Sequence, residues 1–105
     1  MGNRGKAETF IGFAIRANKY RTGLNTCETL KKAYLFLLCN TASENTKKQA
    51  VKTAKKYHAK ILVTIENPLS FYTHKDSVKI MAITDKAIAE AILSNSENQF
   101  IEIES

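Results

Sequence analysis

At 105 residues and 11.8 kDa, with 44% hydrophobic residues, the chain is sized for one domain with a modest core and is too apolar for a disordered segment. No apolar run approaches the ~20 residues of a membrane helix, and the polar opening Met1-Gly2-Asn3-Arg4-Gly5-Lys6 reads neither as a secretory signal nor, without Ser or Thr at position six, as a myristoylation motif. The net charge of +6 is uneven: residues 1–32 carry seven Lys or Arg against two acids, 33–65 carry six against one, and 66–105 carry three against seven. A basic first two-thirds with an acidic end points to an anionic partner, nucleic acid first, met by one side of the fold. The two cysteines, Cys27 and Cys39, form no C-x-x-C, so no disulfide framework is indicated and a reducing cytoplasm fits.

In chain order, Phe10, Phe13, Ala14 and Ala17 recur at helical spacing, with Ile11 and Ile15 widening the stripe, and predict a helix over 8–19. Residues 20–24 read as a short extended link in which Gly23 supplies freedom in φ. Asn25-Thr26-Cys27-Glu28 then looks like a helix start, with Asn25 as cap and Glu28 placed to reach back; this helix is short and ends near Ala33. The run Tyr34-Leu35-Phe36-Leu37-Leu38-Cys39 has the pattern of a strand covered on both faces. Thr41 with Glu44, or Ser43 alone, can cap the longest helix, 44–58, whose stripe is Ala50, Val51, Ala54 and Tyr57 and whose remaining surface carries Lys47, Lys48, Lys52, Lys55 and Lys56.

A second buried strand covers 61–65. Pro68 opens a short helix or turn that packs Leu69, Phe71 and Tyr72 inward. Thr73-His74-Lys75-Asp76-Ser77 is a polar loop, 78–83 a third strand, and Thr84 a cap for a last helix from Asp85 to Leu93 with Ala87, Ile88, Ala91 and Ile92 on its inner face. The alternating segment 100–104 fits an edge strand or a loose acidic tail. Strands alternating with helices predict one α/β layered domain over 1–105, with its core in about 8–94 and helices on both faces of a small sheet.

Chemical motifs are sparse. There is no G-x-x-x-x-G-K-[ST], G-x-G-x-x-G or G-x-S-x-G, and His58 and His74 are not in ligand spacing with the cysteines, so neither a metal, a cofactor nor a catalytic set is expected. The stretch from Tyr20 to Lys32 stands out. A glycine, short polar side chains and a helix start lie together there, flanked by Arg21 and by Lys31-Lys32.

That stretch also carries a resemblance. Phe10 to Lys19 followed by Gly23-Leu24-Asn25-Thr26 resembles the opening of the kink-turn-binding ribosomal protein family, which includes the archaeal large-subunit protein seven-Ae and the large-subunit protein thirty-e. Leu37 to Lys48, the strand at 61–65, and Val78 to Lys86 are similar to its small bacterial, YlxQ-like branch; the likeness spans roughly residues 8–94. It implies a three-layer α/β/α sandwich on a four-stranded mixed sheet. It also implies binding of kink-turn RNA; the resulting expectation is a non-catalytic, cytoplasmic protein of ribosomal type, a monomer without cofactor, on ribosomal or another kink-turn RNA, with the ribosome as one place of action. Gly23 and Asn25 match the family's Gly-x-Asn-Glu element, which meets the sheared G·A pairs. Thr26 stands where the family has a glutamate, Lys31 or Lys32 stands in for a family lysine, and the loop with Thr73, His74 and Lys75 matches the one that packs against the extruded nucleotide. The alternative from a different class is a protein–protein adaptor on the same fold, marked by an exposed apolar patch around Phe71-Tyr72 or Phe100-Ile101.

Overall fold

In a computed structural model, which describes residues 5–75, 77–96 and 99–103, the chain forms ten elements. They are α1 (Gly5–Arg16), β1 (Tyr20–Thr22), α2 (Leu24–Glu28), β2 (Leu35–Leu38), α3 (Glu44–Tyr57), β3 (Lys60–Thr64), α4 (Leu69–Thr73), β4 (Ile80–Ile83), α5 (Lys86–Ser94) and β5 (Phe100–Ile103). The expectations for residues 1–4, for Asp76 in the loop and for Glu104 at the terminal strand lie outside the described residues.

The mixed sheet has five strands in the order β1-β4-β2-β3-β5, one more than expected. β2 and β3 run parallel, joined through α3, and all other pairings are antiparallel. The extra strand is the segment read as a link. Tyr20, Arg21 and Thr22 pair with Ile83, Ala82 and Met81 and form one edge, while β5 pairs with β3 and forms the other.

Successive residues of β2 are buried on opposite faces, as the period of a strand requires. Leu35 and Leu37 pack with Ala7, Ile11 and Ala14 of α1, Leu69 and Tyr72 of α4, and Ala89 and Ile92 of α5. Phe36 and Leu38 pack with Cys27 of α2 and Ala50 and Ala54 of α3. The sheet is thus sandwiched between two helical layers, the α/β/α arrangement.

Several local expectations are corrected. The buried stripe of α1 is Ala7-Ile11-Ala14, and Phe13 is 44% exposed. α1 ends at Arg16 because Asn18 turns to φ 58°. Asp85 caps α5 by accepting from the Ile88 N–H at 3.0 Å, so Thr84 is not the cap, and Ala87 is exposed while Ala89 is buried. Ser43 does cap α3, accepting from the Thr46 N–H at 3.1 Å. Tyr72 and Phe100 belong to the core, their rings 4.9 Å apart, so neither marks an exposed patch. Among the described residues no helix is long and apolar enough to cross a membrane.

Candidate nucleic-acid interface

The carboxyl ends of β1, β2 and β3 lie at one end of the sheet, the end at which open α/β folds place their ligands. Gly23 is the first residue beyond β1. Its φ of 91° and ψ of 136° are open to glycine and strained for other residues, and they turn the chain directly into α2. The turn is held from within. Gly23 N–H donates to the Ile80 carbonyl at 3.3 Å, and the Gly23 carbonyl accepts from Cys27 N–H at 3.0 Å. In α2, Leu24 and Cys27 face inward at helical spacing and leave Asn25 and Thr26 exposed. The Cys27 thiol reaches back to the Arg21 carbonyl at 3.8 Å.

Asn25 is therefore not the cap. Gly23 takes that position, no side chain caps the helix, and Asn25 and Thr26 are its second and third residues. α2 closes at Glu28 instead of continuing towards Ala33, so Glu28 sits at the wrong end to reach back to the start. With only five residues, α2 contributes little macrodipole. Its offer to a ligand is exposed side chains and backbone N–H groups.

Beside this turn lies a crevice of about 320 Å³, lined by Gly23 and Leu24 on one side, Thr46 of α3 behind, and Ser77, Val78 and Lys79 opposite. Ser77 has φ 65°, which bends the loop into place. Lys79 donates to the Thr41 hydroxyl at 2.7 Å, and the Thr41 hydroxyl stands 3.1 Å from the Cys39 sulfur. Burial pushes the Cys39 thiol up, but the Thr41 hydroxyl, the Leu69 N–H and the Lys79 ammonium together outweigh it and hold the thiol below its usual value.

Arg21 and Lys75 stand by opposite faces of β1: Ala82, the partner of Arg21, packs with α2 and α3, and the Tyr20 ring packs with α1, α4 and α5. Arg21 is exposed, on the face of its partner Ala82, with its guanidinium on the Tyr20 carbonyl and 3.4 Å from the Asn18 side-chain oxygen. The Lys75 ammonium stands 5.7 Å from the centre of the Tyr20 ring.

Three expected groups are not brought to the turn. Thr73 is buried at the end of α4, its hydroxyl accepting from Lys75 N–H at 3.1 Å. His74 adopts a left-handed conformation at the C-terminus of α4 and directs its ring to Glu8 of α1, 3.6 Å away. Lys31 and Lys32 follow Leu30, whose carbonyl accepts from the Tyr57 hydroxyl at 2.6 Å, so they lie by the last turn of α3 and away from Gly23. The sequence offers no signal for Thr46, Val78 and Lys79 beside this turn, whereas Ser77 ends the polar loop that the resemblance points to. Val78 and Lys79 fit the apolar alternation of the third expected strand, but β4 begins only at Ile80. Among the described residues, no three His, Cys, Asp or Glu side chains converge as a metal site.

No family model and no curated protein matches the chain. Among solved structures it is similar to a protein with unknown function from Bacillus halodurans C, with a TM-score of 0.76 and 20% identity over 85% of this chain and 94% of that one. That likeness shows the fold.

Proposed function

We propose that this chain is a non-catalytic RNA-binding protein of ribosomal type that recognises kink-turn RNA through the Gly23 turn. The observation that carries the reading is the turn itself. A glycine-only conformation delivers Asn25 and Thr26 to solvent beside a crevice rimmed by Ser77 and Lys79, with Arg21 on the strand that leads into the turn. Asn25 and Thr26 meet base edges exposed by the bend, which a regular A-form helix keeps from side chains. Arg21 and Lys79 supply phosphate attraction that positions the RNA without reading it. On this reading the protein acts in the cytoplasm as a monomer, on ribosomal or another kink-turn RNA, with the resemblance to the seven-Ae and thirty-e family as its second support.

Titration of a kink-turn RNA against a straight duplex of the same composition tests it. Asn25→Ala should weaken the kinked complex by ~1–3 kcal/mol. Because Asn25 caps nothing, the variant should keep the stability of the parent. Equal, fully salt-suppressible binding of both RNAs would reduce the interface to nonspecific charge.

One observation favours a second reading, a protein–protein adaptor. Ile65 and Ile101 are 46% and 56% exposed, and Ile101 lies opposite Val63 on the sheet face shared with α3. Copurification of an RNA-free complex that Ile101→Ser abolishes would support it.

A further inference from the structure

The lysines of α3 are not explained by the turn. Gln49, Lys52, Thr53 and Lys56 follow one another at i, i+3, i+4 and i+7 and form one wall of a groove whose other wall is Glu28, the last residue of α2, and Thr29 just beyond it. The groove holds about 500 Å³. Lys56 donates to the Glu28 carbonyl at 2.9 Å across the groove. Lys48, Lys52 and Lys55 form the adjoining exposed stripe, and Lys31-Lys32 stand where Leu30 is tied to Tyr57.

Such a helix is costly in isolation. Lys48/Lys52 and Lys52/Lys56 are like charges at i, i+4, each pair unfavourable by ~0.2–0.5 kcal/mol. The helix dipole favours Lys55 and Lys56 near the C-terminus but not Lys48 in the first half. Among the described residues, Glu44 is the only acid paired with an α3 lysine, and it takes Lys47 at 4.0 Å, leaving Lys48, Lys52 and Lys55 without a carboxylate. The exposed large hydrophobics, Phe13, Ile65 and Ile101, are all outside α3. A membrane-surface helix needs apolar anchors beside its cations, so this face fits a polyanion better than a lipid surface.

We propose that the α2–α3 groove and the lysine stripe beside it form a second RNA contact, one that holds phosphates of a helical arm outside the kink. It takes only the class of partner from the proposed function and does not require recognition of a bend. The groove admits a phosphate between Lys52 and Lys56, and Lys48 and Lys55 follow the backbone along the helix. Contacts of this kind carry no sequence information and are strongly salt-dependent.

The test measures affinity against salt for a kink-turn RNA and for a straight RNA duplex. Lys52→Gln/Lys56→Gln should make the log–log salt slope shallower by about 2 on both RNAs, since each lost phosphate contact removes about 1. Between about 50 and 200 mM salt the parent should then lose roughly 16-fold more affinity than the variant. Lys52→Gln/Lys55→Gln, which leaves Lys56 on the Glu28 carbonyl, should behave alike and guards against a merely loosened α2. Lys6→Gln/Lys86→Gln removes equal charge from exposed positions on α1 and α5 and should leave the slope nearly unchanged. An unchanged slope in the groove variants, or an equal change in the control, would overturn the proposal. So would loss of binding to phosphatidylserine vesicles with RNA slopes intact. The kink preference, the ratio of the two affinities, reports separately on the Gly23 turn: its absence with a shallower groove slope would sink the function above and leave this contact standing.

Discussion

Gly23→Ala isolates the backbone of the turn from everything else in it. A Cβ built on Gly23 meets nothing within 4 Å, so the substitution adds no steric contact. What remains is the conformation, φ 91° and ψ 136°. Residues other than glycine held in such sparsely populated regions lose roughly 1–3 kcal/mol. In a domain of this size each kcal/mol moves the melting temperature by about 4–8 °C. Gly12→Ala is the matched comparison. Gly12 lies inside α1, where alanine is favoured over glycine by about 0.5–1 kcal/mol. Its added Cβ would make ordinary contact with the Arg16 guanidinium at 3.6 Å. Thermal melts of the two variants should therefore move in opposite directions and differ by about 1.5–4 kcal/mol. Gly23→Asn should not rescue the loss, because asparagine tolerates the left-handed helical well and ψ 136° lies outside it. If Gly23→Ala melts with the parent, the turn relaxes to negative φ. The bonds to Ile80 and from Cys27 would then not fix it, and the orientation of Asn25 and Thr26 would lose its basis.

Three further outcomes follow from other positions. His58 ends α3 in the left-handed conformation, φ 56°, and is exposed, so His58→Gly should raise the urea midpoint by about 0.5–1 kcal/mol equivalent once the unfolded-state entropy of glycine is deducted; a loss would mean the ring stabilises the helix end. Asp85→Ala should cost ~0.5–2 kcal/mol by removing the cap of α5 and Thr84→Ala should cost less, as read by chemical denaturation. Burial pushes the Cys27 thiol up to about 11 from an ordinary 9.0, so the folded chain holds that proton more tightly than the unfolded chain. That contribution is complete below pH 9.0 and is lost as the pH climbs through about 11, and Cys27→Ala should flatten the decline of the urea midpoint across that window. An undiminished decline would assign the titration to other groups, of which Tyr72, raised chiefly by burial, is one.

The elements that could be read from the sequence are those whose own side chains determine them. β2 is a run of apolar residues with no polar interruption, and all four of its residues are buried. α3 announces its inner stripe, with Ala50 and Ala54 buried, and narrows its cap to Thr41 or Ser43, of which Ser43 takes the position. The misses depend on partners distant in the chain. Tyr20-Arg21-Thr22 is too short to display alternation, and only pairing with β4 makes it a strand. Asn25 has the chemistry of a cap, but Gly23 reaches the helix start first through backbone conformation. Phe13 fits the periodicity of α1 yet faces solvent, because the inner face is set by Ala7, Ile11 and Ala14 against α4 and α5. For the same reason the candidate site was half legible. Gly23, Asn25 and Thr26 are close in sequence and legible there, whereas Lys79 joins them only because β4 runs beside β1.

Thr26 is where the proposed function can be strengthened by substitution. Thr26 is exposed on the third position of α2, and its hydroxyl can donate or accept one hydrogen bond without charge. On the proposed reading, a glutamate there would be a charged acceptor that meets donors on base edges. Thr26→Glu should leave the fold intact, since the position is exposed and glutamate is the better helix former by a few tenths of a kcal/mol. On a straight duplex the added carboxylate meets phosphates only through solvent, within a Debye length of about 8 Å, and should weaken binding modestly. On a kink-turn RNA the same carboxylate gains base-edge hydrogen bonds of roughly 1–3 kcal/mol, enough to exceed that repulsion. The ratio of the two affinities should therefore widen in the variant. A parallel loss on both RNAs would mean that position 26 meets phosphate and no base, and the reading of Asn25 and Thr26 as base contacts would fail with it.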